Sequence, residues 1–358
     1  MKKIDLYITS KFIKSFFIGM AGFIVIFILS SVFKVVGYII DDKISIGNGF
    51  VLLGAGIPDV IVNVVPLAIL LGGLMTVNKM ATNSEIIALK TSGISFFRIV
   101  KYPIIISLLL SIFMVWFNDA IVPDMNKLKR EIKYTKVFDV RDSRIKTEVY
   151  LKGSGNNIYY ISMINGSNGT FMNMMVLLMD KTMTKVQKIV VAEKGEYDFK
   201  AKLWTLKQVE ISDIVTGKAE KKDKYDAKFI KETPEEFLKD KIRENEMKAK
   251  DLKESIKFIN KTGGDVKKLM VALYKKTAFP FSGFIMCFIG LSLGSRYVRG
   301  ASAVSIALSV VIGYIYYVVM ATLEAMGAGG FINPMIGEWI PNIIFIAVGI
   351  VTMRQSEY

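Results

Sequence analysis

The stretch VIVNVVPLAILLGGLMTVN, residues 60–78, contains no charged side chain. An α-helix rises about 1.5 Å per residue, so a run of about 20 apolar residues crosses the roughly 30 Å hydrocarbon core of a bilayer. Helices on the surface of soluble domains instead alternate an apolar stripe with a charged face. The length and composition of this stretch therefore predict a transmembrane helix.

Five other stretches have the same character, and they flank one polar region. They are 16–33 (continued after Lys34 by 35–40), 102–118, 277–295, 300–323 and 339–353. Between the third and fourth runs, residues 124–276 hold 34 of the 47 Lys and Arg and 23 of the 32 Asp and Glu. Buried core helices of a soluble protein are the alternative, and six such runs disfavour it. The sequence predicts a membrane α-helical protein with six transmembrane helices, three on each side of a polar domain.

The composition excludes several kinds of chemistry. There is no histidine and one cysteine, Cys287, which excludes imidazole catalysis, internal disulfides and His- or multi-Cys metal sites. No phosphate-binding loop of the G-x-x-x-x-G-K-[ST] type occurs, and the apolar runs hold no pair of carboxylates for acid–base work. We expect no catalytic residue, no metal and no cofactor, and any ATP-driven work would need a separate ATPase.

Basic residues in the short segments predict the orientation. The segments 41–50 and 325–338 together contain one basic residue, Lys43. The segments on the other side carry Lys2, Lys3, Lys11, Lys14, Lys79, Lys90, Arg98, Lys101, Arg296, Arg299 and Arg354. The positive-inside rule then places both termini in the cytoplasm and the large polar domain outside, in the periplasm if there is an outer membrane.

The polar domain has the pattern of an all-β domain. Runs rich in β-branched, aromatic and Met residues alternate with Gly/Asn/Ser turns, and these runs are 145–152, 157–164, 171–179, 185–193 and 203–210. This spacing predicts an antiparallel sandwich, jelly roll or open barrel. Residues 234–261 instead predict one charged helix that begins at Pro234. The predicted domains are 1–123 with helices 1–3, 124–268 with the β domain and the charged helix, and 269–358 with helices 4–6.

Lys34 is an ionisable residue at the outer end of the first apolar run. Such residues are costly in a membrane and are by default functional hypotheses. Its ammonium could pair with an anionic substrate such as a lipid phosphate. Alternatively, its four-carbon stem could lie in lipid while the ammonium reaches the headgroups. The sequence alone leaves both interpretations open.

Residues 82–93 predict a short cytoplasmic helix between the second and third spans. Thr82 and Glu85 have the spacing of a capping box, and Gly93 is a plausible C-terminal stop. A helix this short is marginal alone in water, so it must pack against something. It is either an interfacial helix on the membrane or a coupling helix presented to a cytoplasmic partner, with Glu85 as a polar contact.

With these features the chain resembles the permease subunits of the lipopolysaccharide-export ABC transporter, the LptF/LptG (YjgP/YjgQ) family. The resemblance covers nearly the whole chain, and it rests on motifs that are weak singly but fairly specific in this order. They are IDLYI (4–8), PLAILLG (66–72), NSE (83–85), ALKTSGIS (88–95), VP (122–123), KTAFPFS (276–282), GLSLG (290–294), GYIYY (313–317) and WIPN (339–342). Residues 155–161 and 203–206 look slightly more like the LptG subunit.

The resemblance implies a multi-pass permease of the bacterial inner membrane with an inserted periplasmic jellyroll-like domain. It would extract lipopolysaccharide from that membrane without being an enzyme itself. The implied partners are a cytoplasmic ABC ATPase dimer (LptB-like), a second permease of the family (LptF-like), a membrane-anchored jellyroll protein (LptC-like) and a periplasmic bridge (LptA-like), with no nucleic acid. The alternative function is a membrane-anchored sensor or scaffold whose β domain binds a periplasmic protein.

The resemblance also implies roles for particular residues. The family's substrate-facing lysine matches Lys34, and Lys43, in the loop that follows the first run, could contact the same phosphates. The family's coupling glutamate matches Glu85. The expected ATPase-coupling residues are Ser84, Glu85, Ala88, Leu89 and Gly93.

Overall fold

The structure is a computed structural model that describes residues 3–133, 145–153, 156–180, 185–199, 201–238, 244–261, 265–294 and 302–356. The chain divides into two compact units. Residues 1–133 and 243–358 form a helical unit, and residues 134–242 form a β unit. Each unit has its own hydrophobic core.

Among the described residues, the helical unit contains six helices long and apolar enough to cross a membrane, which confirms the prediction. The helices of the first half are α1 (Lys3–Ile40), α2 (Ile46–Gly54), α3 (Ile57–Thr82), α4 (Glu85–Thr91), α5 (Phe96–Ala120) and α6 (Val122–Ile132). Those after the β unit, apart from the short α7 described below, are α8 (Ala249–Lys261), α9 (Lys267–Gly294), α10 (Ser302–Gly329) and α11 (Pro334–Gln355). The spans are α1, α3, α5, α9, α10 and α11, and α2 and α6 extend α3 and α5.

Two of the spans form the centre of the helical unit. Most side chains in the apolar stretches of α3 and α9 are buried, whereas fewer than a third of those in α1, α5, α10 and α11 are. Leu70 of α3 and Met286 of α9 lie in one core cluster, and Leu71 and Leu291 lie in another. In a membrane the exposed apolar faces of the outer helices meet lipid or other subunits instead of water.

The last two spans are longer than the apolar runs that predict them. They include Glu324 in α10 and Glu338 in α11, which directly border the charge-free runs 300–323 and 339–353. Glu324 pairs with Lys275 at 2.7 Å, whereas Glu338 is buried and neither of its oxygens has a hydrogen-bond partner within the described ranges. The charge-free runs are shorter than these helices because each run stops at a charged residue, whereas the helix continues past it.

The β unit contains a six-stranded antiparallel sheet in which each strand pairs with the next in sequence. Its strands are β1 (Ile145–Lys152), β2 (Asn157–Asn165), β3 (Thr170–Met179), β4 (Val186–Asp198), β5 (Leu203–Asp213) and β6 (Lys218–Asp226). The five strands predicted from the sequence match β1 to β5, so the inserted all-β domain is confirmed. The described connections are hairpins, and the sequence pattern does not predict β6 because KAEKKDKYD lacks apolar alternation.

One face of the sheet is covered by the segment that follows β6. Ile230 and Phe237 of this segment pack against Trp204 and Tyr159 of the sheet, and α7 (Pro234–Leu238) carries Phe237. The buried Glu232 accepts a hydrogen bond from the Tyr159 hydroxyl at 2.7 Å, and its carbonyl accepts one from the Trp204 indole at 2.7 Å. The polar groups of this core are thus paired, as burial requires.

The predicted charged helix 234–261 is not one helix. The structure has α7, a 3₁₀ turn (Glu244–Glu246) and α8, and residues 239–243 lie outside the described residues. The chain bends between the turn and α8 because two contacts hold it to the helical unit. Buried Glu246 pairs with Arg130 at 3.1 Å, and Asp119 accepts from the Ala249 N–H at 2.7 Å.

The unit borders also differ from the domains drawn from composition. The β unit runs over 134–242 instead of 124–268. Residues 124–133 and 243–268 are charged and therefore looked like part of the polar domain. In the structure, however, α6 and α8 belong to the helical unit.

Candidate functional site

The predicted coupling helix is α4, which is shorter than the predicted 82–93. Thr82 belongs to the end of α3, where its hydroxyl donates to the Asn78 carbonyl at 2.9 Å, so there is no capping box with Glu85. Ser84 precedes α4 with a φ of 59°, a left-handed conformation, and its side chain does not cap the helix. The turn between α3 and α4 therefore depends on backbone geometry and on other contacts of Glu85.

Gly93 lies just past the end of α4, as predicted. Its φ is 81°, a conformation that glycine adopts without the Cβ penalty of other residues. The Gly93 N–H donates to the Lys90 carbonyl, and the Ile94 N–H donates to the Leu89 carbonyl. These two bonds form a Schellman motif, which satisfies the last carbonyl groups of the helix.

The carboxylate of Glu85 is engaged by α1. Its two oxygens accept from Lys11 Nζ at 2.8 and 2.9 Å, and one also accepts from the Tyr7 hydroxyl at 3.1 Å. The Asn83 side chain donates to the same oxygen at 3.1 Å. Burial by itself raises the pKa of the Glu85 carboxyl, but these bonds outweigh it, led by that from Lys11, and hold the pKa below its ordinary value of 4.5. Glu85 is thus an ionised tie between α4 and the first span.

The other end of α4 is tied to the last span. Lys90 Nζ donates to the Ser356 carbonyl at 2.6 Å, and the Ser356 hydroxyl donates to the Ser292 carbonyl of α9 at 3.1 Å. Nearby, Arg98 at the start of α5 pairs with the buried Asp5 of α1 at 3.3 Å. The short helix is therefore connected to α1, α9 and the C-terminal end of α11, which accounts for its stability.

The remaining surface of α4 is small and uncharged, with Thr91 and Ser92 exposed beside its apolar residues. Ser84, Ile87, Ala88 and Gly93 are exposed, and 58% of Ile87 is accessible. Leu89, predicted among the coupling residues, instead packs against the helical core. Of the expected coupling residues, three are thus exposed (Ser84, Ala88 and Gly93). Leu89 packs against the core, and Glu85 forms an ion pair within the chain.

The two predicted substrate lysines lie at the opposite end of α1. Lys34 is exposed near Phe33, and its ammonium has no partner in the described parts of the chain. Lys43 pairs with Asp41 at 2.9 Å, so its charge is locally balanced. Lys11 and Lys34 are 23 residues apart on one helix, about 35 Å at 1.5 Å per residue. The structure therefore keeps the two predicted sites at opposite ends of the bundle.

Sequence reasoning missed Lys11 and Tyr7. They lie one turn apart on α1, and the sequence presents Lys11 only as one of several basic residues near the start of the chain. Their spacing of four positions places them on one helix face, but the partner, Glu85, is 74 positions away from Lys11 in sequence. Among the described residues no group of Asp, Glu or Cys could hold a metal ion.

The fold defines a class: a multi-pass membrane protein of six spans with a β domain inserted after the third. The sequence profile of the lipopolysaccharide export system permease LptF/LptG matches residues 6–355. The chain belongs to this family, whose members are transport subunits, and the resemblance seen in its motifs is confirmed.

Individual relatives agree with this assignment. An LptG protein of Haemophilus influenzae is 23% identical over 311 residues, which is 85% of each chain. LptG of Escherichia coli K12 is 20% identical over 92% of this chain and 94% of its own. LptF of the same strain is 21% identical over 92% of this chain and 88% of its own. The highest of these three identities is to an LptG protein, in line with the slight LptG character of the motifs.

Proposed function

We propose that this chain is a permease subunit that takes lipopolysaccharide from the inner membrane and passes it to a periplasmic β-jellyroll bridge, driven by a separate cytoplasmic ATPase. The observation that carries the proposal is the way α4 is tied to the spans. A partner that pushes on its exposed face would move α1 through Glu85 and α11 through Lys90.

The exposed face of α4 fits an ATPase groove through apolar contacts. Ile87 and Ala88 are exposed and can be buried against a partner. The charge of Glu85, in contrast, already pairs with Lys11 within the chain. Docking is therefore led by packing on Ile87, and Glu85 acts mainly by keeping α4 attached to α1. Membership of the family of export permeases supports this role.

The substrate proposal rests on α1. Its face beyond the core carries exposed Val25, Ile26 and Leu29, which suit acyl chains, and Lys34 lies at the end away from α4. An ammonium at the membrane interface pairs more strongly with a phosphate than one in bulk water. Lys43 is the weaker candidate because Asp41 already neutralises it.

The proposed orientation keeps both termini in the cytoplasm and the β unit in the periplasm. We propose that the β unit continues its sheet into a jellyroll partner, the membrane-anchored protein or the bridge, by main-chain pairing. Strand β6 contributes four lysines to its edge of the sheet, and lysines on an edge oppose such pairing. We therefore expect the partner strand to pair with β1, at the other edge of the sheet.

The test is ATP-dependent transfer of lipopolysaccharide from proteoliposomes to a jellyroll acceptor. The vesicles contain the full chain with its co-purified ATPase and second permease. Lys34→Ala is expected to lower transfer about tenfold, because one charge-assisted contact is worth roughly 1.5–3 kcal/mol. Lys14→Ala is the matched control, since Lys14 is exposed on the same helix at the α4 end.

Two results would contradict the proposal. Equal transfer by both lysine variants would remove Lys34 from the substrate path. If no ATPase co-purified even after crosslinking and no transfer occurred, the chain would act as a membrane-anchored scaffold instead.

A further inference from the structure

The helical unit contains a cleft that the proposed transport role does not use. Its volume is about 800 Å³, within the range of about 300–1,000 Å³ that is usual for ligand sites. It lies among the ends of α3, α5, α9 and α10 that are remote from α4. All of its lining belongs to the helical unit of one chain, so the cleft needs no second subunit to form.

The inner part of the cleft is apolar. The buried Val62, Val122, Val271 and Phe279 line it, and the exposed Ala325 of α10 also belongs to the cleft wall. Phe279 is 12 residues into α9, which is about 18 Å along the helix axis. The cleft therefore extends from the polar ends of the spans to a depth that suits an acyl chain.

The charges around the mouth carry both signs. Six charged side chains line the cleft, and two of the lysines are already paired, Lys275 with Glu324 at 2.7 Å and Lys276 with Asp119 at 3.2 Å. In the part of the chain that the structure describes, the charged groups of the remaining three lining residues have no partner. These are one ammonium, Lys268, and two carboxylates, Asp59 and Glu244.

We propose that this cleft binds a zwitterionic phospholipid with a phosphoethanolamine headgroup. The phosphate pairs with Lys268, the ammonium pairs with Asp59 or Glu244, and one acyl chain follows the wall from Val62 to Phe279. A lipid with only a negative headgroup satisfies Lys268 but leaves two carboxylates facing an anion, which is unfavourable at short range. A headgroup of both signs satisfies Lys268 together with one of the two carboxylates.

The experiment measures the lipids that remain on the purified full-length complex. After a detergent wash, bound phospholipids are quantified by mass spectrometry, and phosphatidylethanolamine or phosphatidylglycerol with matched chains is then added back. We expect wild type to retain and rebind phosphatidylethanolamine preferentially. Lys268→Gln is expected to weaken that binding about tenfold, the effect of losing one charge-assisted contact.

Two further variants separate the site from general effects. Lys267→Gln is the matched control, because Lys267 is the preceding residue but does not line the cleft. Ala325→Phe fills the apolar part, so lipid binding is lost although all charges remain. Lys268 is exposed, which makes Lys268→Gln compatible with folding even if Ala325→Phe is not.

Three outcomes would overturn the proposal. These are no retained or rebound lipid on wild type, equal binding of phosphatidylglycerol, or binding to Lys268→Gln as strong as to Lys267→Gln. None of them bears on the transport role, which is tested by lipopolysaccharide transfer.

Discussion

At the residue scale, the structure gives the charge of Glu85 a different role from the one that its sequence motif predicts. The motif presents it as a charge available to a partner, whereas the structure pairs it with Lys11 inside the chain. Both side chains are about one-fifth exposed, 19% for Lys11 and 24% for Glu85. The pair is therefore shielded more than a surface salt bridge, whose usual worth is about 0–1 kcal/mol.

A charge swap tests which partner Glu85 serves. Glu85→Gln keeps the shape but loses the charge, and it is expected to loosen α4 by about 1–2 kcal/mol. The double variant Lys11→Glu/Glu85→Lys reforms the pair with reversed signs, so ATPase co-purification lost in Glu85→Lys should return. If the double variant is folded and inserted but still fails to retain the ATPase, the carboxylate itself contacts the partner.

At the scale of elements, the contact between α3 and α9 depends on the absence of side chains. An added Cβ at Gly290 would lie 2.4 Å from the Leu70 carbonyl oxygen, and one at Gly73 would lie 3.0 Å from the Leu291 nitrogen. The two backbones therefore approach as closely as small residues permit, which is how helices in membranes gain packing energy.

Alanine substitution should change the stability in opposite directions at two helical glycines, Gly290 and Gly22. Gly290→Ala is expected to lower the stability by about 1–3 kcal/mol, because the methyl group overpacks against α3. Gly22→Ala serves as the control, since a Cβ there meets nothing within 4 Å, and alanine is the better helix former by about 1 kcal/mol. The check is the Tm of each purified variant in the same detergent. Equal losses would show that α3 and α9 do not approach so closely.

At the scale of the whole molecule, the two units have separate cores. In the β unit, Trp204, Tyr159 and Phe237 pack together, and Glu232 satisfies the polar groups among them. Burial, with a further contribution from the Glu232 bond, raises the pKa of the Tyr159 hydroxyl, which remains a donor over the physiological range. The stability of this core is therefore a property of residues 134–242.

Removing the buried carboxylate should affect one unit only. Glu232→Ala leaves the Tyr159 hydroxyl buried without its acceptor, which typically costs about 1–3 kcal/mol. We expect faster hydrogen exchange in β2 and β5 and unchanged exchange in α3 and α9. Glu193→Gln, an exposed change on β4, is the control. Equally faster exchange in α3 and α9 would show that the two units open together.

The sequence alone determined the features that depend on local composition. The number of spans follows from runs of apolar residues, because each run must satisfy its own backbone hydrogen bonds within the membrane. The first five strands follow from β-rich runs separated by turns, and Gly93 marks the end of α4 because few other residues adopt its φ. Strand β6 escaped detection because an edge strand in water needs no apolar face.

Only the tertiary structure decided which distant groups meet. Lys11 reaches Glu85 across 74 positions and Glu324 reaches Lys275 across 49, and no local pattern marks either partner. The interruption of the charged segment 234–261 also depends on remote side chains, Arg130 and Asp119. Such contacts form when helices with strong local preferences pack together, since the packing and not the sequence pattern sets which side chains face one another.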